Sequence, residues 1–269
     1  MMRFPLRLTA DLALARIAQK LRLARGAHPI QFVDAAEILH QDSSHPVSHE
    51  RIREVVSSRS PVVWMGGSEP LHHPGIAHLV RAITQSGHFV FLETDGTLLR
   101  RRIHEFQPVS RLFLTVRLEP VHLEPARVET DAPRRASSGL RPGISELAVE
   151  GIRAARLSGF SICIHMRVAP EIETSDAAEL FHLAHSLEVD GFVISPARAE
   201  SDSALPAAQA LWQKTAEARQ QIGSIWWESF SRLVEPVLLG EPRSSPAAGH
   251  SAVRLEHETS ADEEGIKVA

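Results

Sequence analysis

An α/β fold with a mainly parallel sheet under outer helices is what this sequence predicts. Six short apolar runs, at 29–33, 61–65, 88–93, 111–118, 160–168 and 190–195, have strand length and β-branched or aromatic content. Helical stretches near 48–58, 75–86, 97–106, 144–158 and 175–187 separate them. Gly87, Gly159 and Gly191 fall where a helix should hand over to the next strand. Such alternation builds parallel strands joined by crossover helices. A partial (β/α)6 barrel and an open doubly wound sheet both satisfy the count. Either one gathers ligands at the carboxyl ends of its strands.

The elements divide the chain into three parts. Residues 1–27 read as a helical extension, with a helix over 9–25, Thr9 as its N-cap and Leu14, Ile17, Leu21 and Ala24 on one stripe. That stripe is expected to pack on the domain, while Arg16, Lys20 and Arg25 give the other faces a basic character. Residues 28–240 form the main domain. It closes with a helix over 205–221 and a second one over 225–239, anchored by Trp226, Trp227 and Phe230. Residues 241–269 turn to Pro, Ser, Ala and acidic residues and read as a disordered tail, too poor in apolar surface to order itself.

Composition excludes several classes of function. The formal charge is −4, from 29 basic and 33 acidic residues, so no bulk field draws nucleic acid. One cysteine, Cys163, excludes an internal disulfide framework and any all-cysteine metal site made by this chain alone. No apolar run approaches the roughly 20 residues that span a bilayer, although peripheral membrane contact stays open. The arginines from Arg3 onward do not read as a secretory signal, so the cytoplasm is the expected compartment.

The motif with the most chemical content is Met65-Gly66-Gly67-Ser68-Glu69-Pro70, a small-residue turn after an apolar strand. It resembles the Gly-Gly-Glu-Pro segment of radical S-adenosylmethionine (SAM) enzymes, where the turn cradles the methionine end of SAM. Leu92-Glu93-Thr94-Asp95-Gly96 resembles the Thr-Asn-Gly that ends the third strand of that superfamily. Thr115-Val116-Arg117-Leu118-Glu119 resembles its fourth strand, and Asp190 to Pro196 the last matched strand of its hopanoid-biosynthesis subgroup. The resemblance covers about residues 2–240. It implies an α/β fold of the radical SAM type, a partial (β/α)6 TIM-like barrel. It also implies a SAM site drawn from Gly66, Gly67, Ser68, Glu69, Thr94, Asp95, Thr115, Arg117, Glu119 and Ser195.

The departures from that pattern bear directly on function. The family's Cys-x3-Cys-x2-Cys would follow the first strand, yet residues 33–45 hold no cysteine. A [4Fe–4S] cluster needs thiolate ligands, and without it no electron reaches SAM. No cluster is therefore expected, and the resemblance implies a pseudoenzyme that binds SAM or a lipid intermediate. Its partner would be such a small molecule or a related active enzyme subunit. A different class of reading is an active non-radical enzyme, a SAM-dependent transferase or a divalent-metal enzyme using Asp34, Glu37, His40, Asp42, His45 and His49.

The remaining polar residues have plainer readings. Glu69 is as well placed to accept backbone N–H bonds in the crossover as to hold an amine. His73 suits the first turn of the following helix, and His165 a satisfied core histidine. Cys163 suits a small half-buried strand position, and Arg134, Arg135 and Arg141 a solvated loop.

Overall fold

The computed structural model describes residues 3–21, 28–35, 49–119, 145–197 and 205–239. Six parallel strands follow one another across a single sheet in chain order. They are β1 (Ile30–Asp34), β2 (Val62–Gly66), β3 (Phe89–Thr94), β4 (Leu112–Arg117), β5 (Ser161–Val168) and β6 (Gly191–Pro196). The sheet curls into a half-barrel with helices around it. These are α1 (Leu6–Lys20), α2 (His49–Val56), α3 (Ile76–Gln85), α4 (Leu99–Arg102), α5 (Glu146–Leu157), α6 (Thr174–Ser186), α7 (Leu205–Gln220) and α8 (Ile225–Leu239). Burial on both faces explains why β2, β3 and β6 read as continuous apolar runs rather than alternating ones.

An aromatic plug fills the concave side of the half-barrel. Trp64 stacks on Phe91 at 5.4 Å between ring centroids, and Phe91 on Phe113 at 4.7 Å. The register explains the stack, because Trp64 pairs with Phe91 and Phe91 with Phe113 on adjacent strands. Helix α8 packs against both β6 and β1 and brings Phe230 to 4.9 Å from Phe91. Trp227 of the same helix is fully buried and lies edge-on to Phe230. The expected aromatic anchor is thus Trp227 and Phe230, whereas Trp226 stays half exposed.

Three details differ from the sequence reading. Helix α1 starts at Leu6 with Pro5 as its N-cap, and the Thr9 hydroxyl donates back to the Pro5 carbonyl from within the first turns. Its buried residues are Leu8 and Leu12, while Leu14, Ile17 and Leu21 face solvent. Gly191 is no turn residue either: it opens β6, and a Cβ there would lie 2.3 Å from Trp227. The turn before β6 is made by Glu188, whose φ is +54°. Residue Ala24, the arginines at 134, 135 and 141 and the acidic tail lie outside the described residues.

Candidate functional site

Alternation along the strands sends every second residue into the half-barrel. Two residues beyond the aromatic layer, the inward positions become Gly66, Glu93, Thr115 and Cys163. Beyond these come Arg117 paired with His165, and then Arg167 paired with Ser195. Apolar at its base and polar at the carboxyl ends of its strands, the half-barrel presents its chemistry at one mouth.

Glu93 organises that mouth. Its carboxylate is 1% exposed, accepts a 2.7 Å hydrogen bond from Trp64 Nε1 and another of 2.8 Å from Arg167 Nη2. Arg117 Nη1 approaches the same Oε1 at 3.3 Å, and His165 Nδ1 at 3.5 Å. Burial by itself pushes the Glu93 pKa up. The nearby His165, then the charge of Arg167 and the Trp64 hydrogen bond, outweigh it and hold the group well below the usual carboxylate range. Gly66 is needed here because a Cβ would sit 3.0 Å from Glu93 Oε2.

On its other ring nitrogen, His165 meets the Ser195 hydroxyl at 2.8 Å. Carboxylate, imidazole and hydroxyl thus lie in the order of a hydrolytic triad, but the arrangement does not make a nucleophile. Ser195 and His165 are both buried, and 3.5 Å is too long for a firm carboxylate–imidazole hydrogen bond. The network neutralises charge and fixes side chains.

A second carboxylate ties the turns together. Glu69 Oε1 accepts from Leu71 N at 3.0 Å and from Thr94 Oγ1 at 2.7 Å, while Oε2 accepts from Asp95 N at 2.7 Å. The β2 turn is thereby fastened to the β3 turn. Asp95 is spent locally, since its Oδ1 takes both the backbone N–H and the hydroxyl of Thr97. Gly67 has φ +87°, and a Cβ there would fall 2.5 Å from Asp34 Oδ1, so only glycine brings the turn this close to β1. Ser68 is exposed at the tip. His73 Nδ1 accepts from Gly75 N at 2.9 Å at the entry to α3, as its sequence position suggests.

The predicted residues therefore divide. Gly66, Gly67, Ser68, Glu69, Thr94 and Asp95 come together in the two joined turns. Arg117 and Ser195 come together around Glu93 and His165. Thr115 Oγ1 is buried in the same interior, without a hydrogen-bond partner among the described residues. Glu119 is half exposed, 3.7 Å from Arg117 Nε. Sequence reasoning gave no site role to Glu93, Arg167 or Trp64. The available signal was a charged residue at the inward parity of an otherwise apolar strand.

The chain's own residues do not fit a [4Fe–4S] cluster. Cys163 is its single thiol, buried in β5, and burial followed by the charge of Asp190 pushes its pKa well above the ordinary range. Among the described residues no group of three or more His, Cys, Asp or Glu side chains is placed to hold a metal ion. Of the acid and histidine segment, residues 36–48 lie outside the described residues. No described helix is long and apolar enough to cross a membrane.

No family model matches the sequence. It is 29% identical to the AdoMet-dependent heme synthase of Methanosarcina barkeri (strain Fusaro / DSM 804), over 65% of this chain and 48% of that protein. Its structure is similar to that of Streptococcus suis SuiB bound to S-adenosylmethionine, with a TM-score of 0.51 at 12% identity. That match covers 78% of this chain and 52% of SuiB. The chain thus spans about half the length of each. The fold is the partial TIM-like α/β barrel of the radical SAM type.

Proposed function

We propose that this protein is a non-catalytic binder on a radical SAM scaffold. In this reading the mouth of the half-barrel takes SAM or a lipid intermediate of hopanoid type, alone or beside a related active subunit. The observation that carries the reading is the pairing of an intact turn with an unsuitable thiol. Glu69, Gly67 and Asp95 keep the two turns in register, while Cys163 is buried and unfit as an iron ligand.

The donor set suits an amino-acid end group. A carboxylate offers about four acceptor positions, and the protein fills three on Glu69, which leaves one for an ammonium. Arg117 and Arg167 are partly exposed at the same mouth and give a ligand carboxylate its counter-charge.

Calorimetric titration of SAM into wild type, Glu69→Gln and Arg167→Met tests this. Micromolar binding, weakened about tenfold or more in either variant, supports it. No heat at millimolar SAM removes SAM as the ligand. Reductive cleavage of SAM by anaerobically reconstituted protein would overturn the non-catalytic reading.

A further inference from the structure

Helix α1 is apolar on two opposite faces, and only one meets the core. At about 100° per residue, Leu8 and Leu12 lie on one side, and Leu6, Ile17, Leu21 and Leu14 span about 80° on the other. The second set is 86%, 53%, 62% and 64% exposed. Phe4, just before the helix, stacks on Trp226 at 6.4 Å, which places the start of α1 beside the start of α8. There Ile225 and Trp226 are 72% and 55% exposed. Together these residues make an apolar strip with a tryptophan at one end.

Charge decides what covers it. Residues 1–27 carry six lysines and arginines against one aspartate, in a chain whose formal charge is −4. Exposed Arg7 and Lys20 flank the apolar strip on its two sides, at about 20° and 40° from its edges. The single acid, Asp11, lies 3.9 Å from Arg111. A second copy docked on the same face by two-fold symmetry would set these cations against themselves. An anionic lipid surface instead accepts the apolar residues between its headgroups and neutralises the flanking cations.

From this juxtaposition we infer that the outer face of α1, with Ile225 and Trp226, is a peripheral docking surface for anionic membranes. This inference does not depend on the ligand proposed for the barrel mouth.

Flotation of the full chain with vesicles tests it, using phosphatidylcholine alone and phosphatidylcholine mixed with phosphatidylglycerol. Wild type is expected to float with the anionic vesicles and to be left behind by the neutral ones. Both Leu14→Asp/Ile17→Asp and Arg7→Gln/Lys20→Gln are expected to lower that partition about tenfold or more. All four positions are exposed, so circular dichroism and the SAM titration should match wild type. A loss of vesicle binding is then separable from a failure of the ligand site. Three results overturn the inference: no flotation with either vesicle, flotation unchanged in both variants, or a wild-type dimer that Leu14→Asp/Ile17→Asp dissociates. The last would assign the face to a second copy.

Discussion

Replacing Glu93 with glutamine tests the organisation of the mouth most directly. Gln keeps an acceptor for Trp64 Nε1 and nearly the same volume, but removes the charge that Arg167, Arg117 and His165 face. Stripping one partner from a fully buried ion pair costs about 3–5 kcal/mol. Here the Arg117 and Arg167 side chains are 25% and 32% exposed, so water relieves part of the loss. The lower end, about 3 kcal/mol, is the expected cost. For a domain of this size that is a fall in Tm of roughly 6–12 °C. The pH dependence sharpens the test. Glu93 binds its proton less tightly when folded than its ordinary value of 4.5, so the stability it contributes is complete above that value and is lost as pH falls below it. The gap between wild-type and Glu93→Gln melting curves should therefore be widest near neutrality and close under acid. A neutral-pH gap under about 1 kcal/mol, or one that does not change with pH, would refute the assignment of Glu93 as the anionic hub.

Three further outcomes follow from single contacts. Gly191→Ala puts a methyl 2.3 Å from Trp227 and should cost about 1–3 kcal/mol by urea denaturation, with Trp227→Leu in the same chain restoring part of it. Ser195→Ala leaves the buried His165 Nε2 without its partner and should cost about 1–3 kcal/mol, read from the denaturant midpoint. At His73, burial and then the charge of Arg102 hold the pKa below 6.5, so the folded state resists its proton. Stability from His73 is present above that value and is lost as pH falls through it, so wild type should lose more than His73→Gln between neutral and mildly acidic melts.

The sheet was legible in the sequence because its strands are short apolar runs bounded by helices. Alternation predicted parallel strands but left a barrel and a doubly wound order open, and the sheet takes the barrel's sequential order. The Gly67 turn was readable from its composition. What was not legible depends on partners distant along the chain. The role of Gly191 is set by Trp227 of α8, which no local pattern reveals. Periodicity picked the Leu14/Ile17/Leu21 stripe of α1, whereas Leu8 and Leu12 are buried, because both stripes repeat equally well and only tertiary packing chooses between them. Glu93 sat inside a motif quoted for its neighbours, and its inward direction follows only from sharing parity with Phe91. A buried carboxylate also demands cations nearby, and these were readable at matching parity on the next strands as Arg117, His165 and Arg167.

The division of labour between Glu69 and Glu93 bears on how the mouth keeps its shape. Each carboxylate is satisfied mainly by the protein: Glu69 by Leu71, Thr94 and Asp95, Glu93 by Trp64, Arg167 and Arg117. Neither needs a bound ligand to offset the cost of burying or fixing its charge. A site held in this way keeps its architecture without a ligand, because the strand ends are cross-linked by their own hydrogen bonds. Thr115 Oγ1 and His165 Nδ1 depart from this pattern, both buried without a hydrogen-bond partner among the described residues. A polar atom left so is a cost of about 1–3 kcal/mol that the fold does not offset at that point.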